Sequence, residues 1–305
     1  MSEIGPHTNF LFEVGKVLPQ FVAKSVTRIL GIRKDGGPAD HRGTAVMCRM
    51  QGRQAFVTAN HVLTEIEKSD DYRCAGISAS PGGFQGQYLR FADIDIAVIM
   101  PDNEITVREG SVFWPGDWCD RQEPAVMAGD YMLVYGFPAR LSRFSTFLPG
   151  SISEGYTHCT WVRPRHSQAQ DPLWKPFAEI AGYPPIPDEL LQPWQFCLNF
   201  DEPTGPLKTK EGELVTSAGI LQEHAGLYVD LPSLPGKQPF GAFGLSGSPV
   251  WRFGAAEAAW SLDRWSPESA RLAGIITHWN EERSYLVATR FSEIVTRMAA
   301  SLNRA

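Results

Sequence analysis

The chain has no CxxC pair, no long apolar run, no block of one charge and no low-complexity tract. Each absence closes a class of protein. Cys48, Cys74, Cys119, Cys159 and Cys197 are an odd set without metal-ligand spacing, which argues against a disulfide framework or zinc site and for reduced, buried thiols. No stretch approaches the roughly 18 apolar residues a membrane-spanning helix needs, so no membrane partner is expected. The net charge of −6 is spread over 305 residues, and no nucleic acid or anionic surface is expected as a partner. Near the start, "FLFEVGKVLPQFVAKSV" is interrupted by Glu13, Lys16 and Pro19 and no basic region precedes it. It does not read as an export signal, and a cytoplasmic location is expected. "PGGFQGQ" lacks the lysine and following helix of a phosphate loop. His41, His158, His166, His224 and His278 show no metal-ligand spacing, and His278 reads as a packing residue.

What is present is an ordinary globular composition, 43% apolar and 20% charged, long enough for one large domain or two sharing a core. Residues 9–29 are expected to form one or two short helices, broken near Pro19. "GTAVMCRM" and "QAFVTAN", separated by "QGR", read as a hairpin, and "DIDIAVIM" as a buried strand ending at Pro101. "DYMLVYGFP", "FLPGSISEGY", "QFCLNF", "GLYVDL", "SPVWRF", "RLAGIITHW" and "YLVATR" continue the strand texture. Residues 160–238 are dense in proline and read as insertions and long loops. "FSEIVTRMAASLNR" has apolar residues at helical spacing. Many short strands with glycine and proline turns predict an all-β sandwich or barrel.

Three phrases carry chemistry. "FVTANHVL" places His61 just after a strand. "ADIDIAVIM" begins an apolar strand with two carboxylates, and period-two alternation puts Asp93 and Asp95 on the same face. Asp93 is expected at the exposed mouth of that strand. Asp95 is costly beside Ile-Ala-Val unless it is paired. "FGAFGLSGSPVW" surrounds Ser246 with small residues that let backbone N–H groups approach a ligand. The order histidine, aspartate, serine excludes the α/β-hydrolase arrangement, and Ser248 stands where a G-x-S-x-G elbow needs glycine.

In these phrases the chain resembles the trypsin-like (chymotrypsin-fold) serine peptidases, in texture the bacterial intracellular and heat-shock-type members. Thr58-Ala59-Asn60-His61-Val62 is similar to the family's histidine phrase, with Asn60 where alanine is usual. Asp95-Ile96-Ala97-Val98 is similar to its acid phrase, and Gly244-Leu245-Ser246-Gly247-Ser248-Pro249 to its nucleophile phrase. Gly43-Thr44 and the pair "GIITHW" and "YLVATR" also fit. The resemblance implies two packed antiparallel β-barrels. A helical segment would occupy 1–30, the first barrel 31–118, the second 119–290 with a proline-rich insertion at about 160–238, and a C-terminal helix 291–305.

It also implies a serine endopeptidase with His61, Asp95 and Ser246 as catalytic residues and the amides of Gly244 and Ser246 as oxyanion hole. Phe240, Thr277 and Trp279 would line a shallow apolar substrate pocket. The substrate would be a protein or peptide, with no metal or other cofactor. Leu245 replaces the aspartate that pairs with a newly cut N-terminus in digestive members. An enzyme held latent until an activating partner protein binds is compatible with that departure. The alternative is a catalytically silent binding or scaffold module on the same fold.

Overall fold

The structure is a computed structural model that describes residues 6–79, 86–118, 126, 130–138, 142–143, 152–153, 156–168, 185–200, 244–255, 257–280 and 285–303. Helix α1 (Pro6–Val22) opens the chain. Phe10, Val14, Leu18 and Val22 recur every fourth residue and are all buried, so one stripe of the helix faces the core. The expected break at Pro19 does not occur. A helical proline costs about 3 kcal/mol, but each buried side chain returns roughly 1.5–3, and Leu18 and Val22 flank it. A single 3-10 turn (Ala23–Ser25) follows, and then strand β1 (Val26–Arg33). Residues 26–29, expected to be helical, thus belong to a strand: Val26, Thr27 and Ile29 are β-branched and buried.

The first sheet contains β1, β2 (Asp40–Met50), β3 (Arg53–Ala59), β4 (Tyr72–Ile77), β5 (Gly86–Phe91) and β6 (Ile96–Pro101). Its antiparallel order is β4-β1-β2-β3-β6-β5. The expected β2–β3 hairpin closes through Gln51 and Gly52 at φ of 50° and 78°, the two-residue turn whose twist matches the strands. Helix α2 (Asn60–Lys68), which no periodicity announced, follows β3 and buries Val62, Leu63 and Ile66.

The second unit contains β7 (Tyr131–Gly136), the small pair β8 (Ser142–Arg143) and β9 (Ile152–Ser153), then β10 (Tyr156–Arg163), β11 (Gln195–Asn199), β12 (Pro249–Arg252), β13 (Arg271–Asn280) and β14 (Tyr285–Arg290). Six of these close into an antiparallel barrel, β10-β11-β14-β13-β12-β7. "QFCLNF" is β11, as expected; "GLYVDL" lies outside the described residues. The expected C-terminal helix is α3 (Phe291–Leu302), with Phe291, Ile294 and Met298 buried. The two curled antiparallel units resemble the chymotrypsin-like double-barrel fold.

One apolar cluster runs through both units. It joins α1, Val57 and Val98 of the first sheet, Leu133 and Trp251 of the second barrel, and α3. Trp114 meets Trp251 at 4.2 Å between ring centroids, and Phe10 packs edge-on against Trp260 at 5.6 Å. Cys48 and Cys197 are buried, whereas Cys74 is exposed on the edge strand β4. The side chains of Cys119 and Cys159 lie outside the described residues. Among the described residues no helix is long and apolar enough to cross a membrane. Leu18→Ala is expected to cost about 2–5 kcal/mol of stability, read as a lower midpoint in urea unfolding.

Candidate functional site

The residues singled out in the first sheet meet at the start of α2. The first N–H groups of a helix have no partner inside it, and here Asp95 supplies two. Asn60 N–H donates to the Asp95 carbonyl at 3.0 Å, and His61 N–H donates to Asp95 Oδ1 at 2.9 Å. The other carboxylate oxygen, Oδ2, lies 2.7 Å from His61 Nδ1. A carboxylate only accepts, so Nδ1 carries the proton and Nε2 is the free lone pair. His61 and Asp95 are both half-buried.

This arrangement depends on local backbone. Residues Ala92–Ile94 form one 3-10 turn, and Asp95 takes a left-handed φ of 53°. That conformation costs about 1–2 kcal/mol for a residue with a Cβ, and aspartate tolerates it better than most. Alternation begins only at Ile96, so Asp93 and Asp95 do not share a strand face. Asp93 is exposed, as expected, and pairs with Arg297 of α3 at 2.9 Å. From the second barrel, Thr289 Oγ1 donates to the Ile94 carbonyl at 3.0 Å.

Burial disfavours the His61 imidazolium. The Asp95 hydrogen bond, with the charges of Asp95 and Glu65, outweighs it and holds the ring above its ordinary value.

Ser246 lies in the short turn before β12 and is half-buried. Gly247 N–H donates to the Ile276 carbonyl at 2.7 Å and Ser248 N–H to the Leu245 carbonyl at 2.8 Å. Leu245 is fully buried in the second-barrel core. Across the seam, Thr44 N–H donates to the Ser246 carbonyl at 2.9 Å. A Cβ on Gly43 would stand 2.8 Å from Val62, the neighbour of His61, and 3.1 Å from the Ser246 carbonyl oxygen. Glycine at 43 therefore brings the serine turn and the start of α2 together. Gly244 and Gly247 take φ of 93° and 86°, a region open to glycine. Among the described residues, the N–H groups of Gly244 and Ser246 meet no acceptor, and no hydrogen bond joins the Ser246 hydroxyl to His61.

The remaining expected positions divide. Phe240 lies outside the described residues. Thr277 is buried and its hydroxyl donates to the Val287 carbonyl at 3.3 Å. Trp279 is partly buried, edge-on to Phe200 at 6.2 Å. Between them, His278 is exposed and is not a packing residue. The β13–β14 register shifts between Ile276 and His278, and this bulge turns the histidine outward. Although the residue reaches solvent, partial desolvation of its ring lowers its pKa, the Asp95 charge opposes that, and the His61 charge reinforces it. The same strand that carries Ile276 to the serine turn thus carries a second imidazole within electrostatic range of the first. Only the outward placement created by the bulge separates it from an ordinary strand histidine, and no residue pattern signals that.

His41 on β2 was also passed over. It is buried, and its Nε2–H donates to the Phe137 carbonyl at 2.6 Å, leaving Nδ1 without a partner. Burial pushes it down to about 4, with Arg28 and Arg42 adding to the effect against the carbonyls of Phe137 and Gly244. His158 on β10 is likewise pushed to about 4 by burial.

Among the described residues no group of histidine, cysteine and carboxylate side chains is placed to hold a metal ion. What the site offers is an imidazole fixed by a carboxylate, a serine turn held across Gly43 from the residue after that imidazole, and two backbone N–H groups that meet no acceptor among the described residues. No protein-family model matches the chain, and no curated protein is significantly similar to it.

The two buried histidines set an acid limit. The fold keeps His41 neutral down to about pH 4, while the unfolded chain protonates it near the ordinary 6.5. Its contribution is complete above pH 6.5 and is lost as the pH falls toward 4, on the order of 3 kcal/mol. Urea unfolding across this window is expected to show stability falling with acid. His41→Gln should shed about one of the two protons in that slope, leaving the His158 share.

Proposed function

We propose that the chain is a serine endopeptidase that cleaves proteins or peptides through an acyl-enzyme. The observation that carries this reading is the Ser246 turn itself. It holds a hydroxyl and two acceptor-less N–H groups against the strand and helix that present a carboxylate-fixed His61. His61 Nε2 takes the Ser246 proton as Oγ attacks the scissile carbonyl carbon. The oxyanion of the tetrahedral intermediate is taken by the N–H groups of Gly244 and Ser246. Collapse breaks the C–N bond, and the imidazolium gives its proton to the leaving amine. Water, deprotonated by the same imidazole, then releases the acyl group. Asp95 keeps the tautomer and stabilises the imidazolium, which agrees with the raised His61 pKa.

Leu245 bears on regulation. Its burial in the second-barrel core seats the turn by apolar packing, without an ion pair to a newly cut terminus. The open hydrogen bond between Ser246 and His61 favours one second reading. In that reading the fold is a catalytically silent binding or scaffold module; an enzyme that completes the contact only when an activating partner binds belongs to the first reading. Catalytic hydrogen bonds are often long in ligand-free sites and tighten on substrate binding, which keeps the enzyme reading first.

A fluorophosphonate probe separates the two. The wild-type chain is expected to label at Ser246, with labelling absent in Ser246→Ala. The rate should rise with pH through the raised His61 pKa. Asp95→Asn should slow it by about 10⁴-fold while Asp93→Asn leaves it near wild type. A folded wild-type chain that never labels supports the silent module instead.

A further inference from the structure

We propose that Thr44 is a positioning residue that sets the geometry of the Ser246 turn from the opposite barrel; the proposal rests on the peptidase reading above. Thr44 lies on β2, fully buried, and every polar group it has is engaged. Its N–H holds the Ser246 carbonyl at 2.9 Å. Its hydroxyl donates to the Gly244 carbonyl at 3.0 Å and accepts from the Phe137 N–H at 3.1 Å. Its own carbonyl accepts from the Thr58 hydroxyl at 2.7 Å. A hydroxyl has one hydrogen. With Phe137 as donor, that hydrogen is committed to Gly244.

The consequence is specific to the turn. Thr44 draws the carbonyls of residues 244 and 246 toward the first barrel, one by side chain and one by backbone. The N–H groups of the same two residues are those left without an acceptor. Thr58 stands on β3, three residues before His61, so one chain of hydrogen bonds runs from the His61 strand through Thr44 to Gly244. Glycine at 247 lets the turn sit against this line, because a Cβ there would overlap the Thr44 carbonyl oxygen and the Thr58 hydroxyl. Phe137 extends the coupling to β7, whose last residue, Gly136, lies against Leu245 and Ser248. The Thr44 methyl restricts χ1 and keeps the hydroxyl on this line. Thr44 touches no reacting atom; it acts through Gly244 and Ser246.

The test uses Thr44→Val, which keeps the shape and removes the hydroxyl, and Thr44→Ser, which keeps the hydroxyl. Inactivation by a fluorophosphonate is resolved into its maximal rate and its half-saturating concentration, with near-ultraviolet circular dichroism confirming the fold. Thr44→Val is expected to lower the maximal rate by about 10²-fold with half-saturation unchanged, as for a misplaced reacting group, and Thr44→Ser to restore most of the loss. If Thr44→Val does not fold, Thr44→Cys, a weak donor of serine size, should show a lower maximal rate than Thr44→Ser. A maximal rate in Thr44→Val equal to wild type, a serine variant as slow as valine, or a cysteine variant as fast as wild type overturns the proposal while leaving the peptidase reading intact. A wild-type chain that does not label overturns both.

Discussion

The structure depends on the apolar seam between its two β units. Neither sheet completes its burial alone. One face of the first sheet and the outward face of the closed barrel share one cluster, with α1 and α3 packed into it, while the barrel interior forms a cluster of its own. Burial on this scale fixes the relative placement of the two units, because close-packed interiors transmit displacement instead of absorbing it. Everything polar that crosses between the units inherits that precision. Thr44 reaches the serine turn, His41 the Phe137 carbonyl, Thr289 the Ile94 carbonyl, and Arg297 reaches back to Asp93.

Within this frame, one residue type takes opposite electrostatic states. His61 meets a carboxylate with both its backbone and its ring, and its imidazolium is favoured. His41 and His158 are buried with a ring nitrogen against a backbone carbonyl, and their neutral forms are favoured. His278 stands between these cases, exposed but within reach of both the Asp95 and the His61 charges. The fold thus keeps His41 and His158 as neutral donors and favours the charged form of His61 at the seam. Asp95 is one of four described residues with a Cβ that take a positive φ, and its αL turn lets one carboxylate serve both the helix terminus and the ring.

Regulation follows from how the Ser246 turn is seated. An ion pair to a mobile terminus would make the turn conditional on a cleavage event. Apolar burial of Leu245 and the hydrogen bonds to Thr44 instead make it conditional on the seam between the barrels. On the proposed reading, anything that loosens or tightens the contact of the two units acts directly on the site, and the gap between the Ser246 hydroxyl and His61 is where such an effect would be felt.

Much of this was present in linear order. Alternating and continuous apolar runs announced β2, β3, β6, β7, β11, β13 and β14, since a strand's side-chain period is a local property. Helical spacing likewise announced α3. The three phrases around His61, Asp95 and Ser246 marked the residues, because glycine, small neighbours and a carboxylate before an apolar run are local signs of unusual backbone and costly burial. What the chain could not show locally was decided by tertiary contacts. α1 runs through Pro19 because its buried stripe outweighs one lost hydrogen bond. Asp93 and Asp95 part company because a 3-10 turn precedes the strand. His278 faces outward because β13 bulges against β14. Thr44 looked like one element of a phrase, yet its partners Gly244 and Phe137 lie far away in sequence on the other unit. Sequence by itself determined which residue types were available and where the backbone could bend; only the packing of the two units decided which of them meet, because contact across a seam depends on the whole core and not on neighbours in the chain.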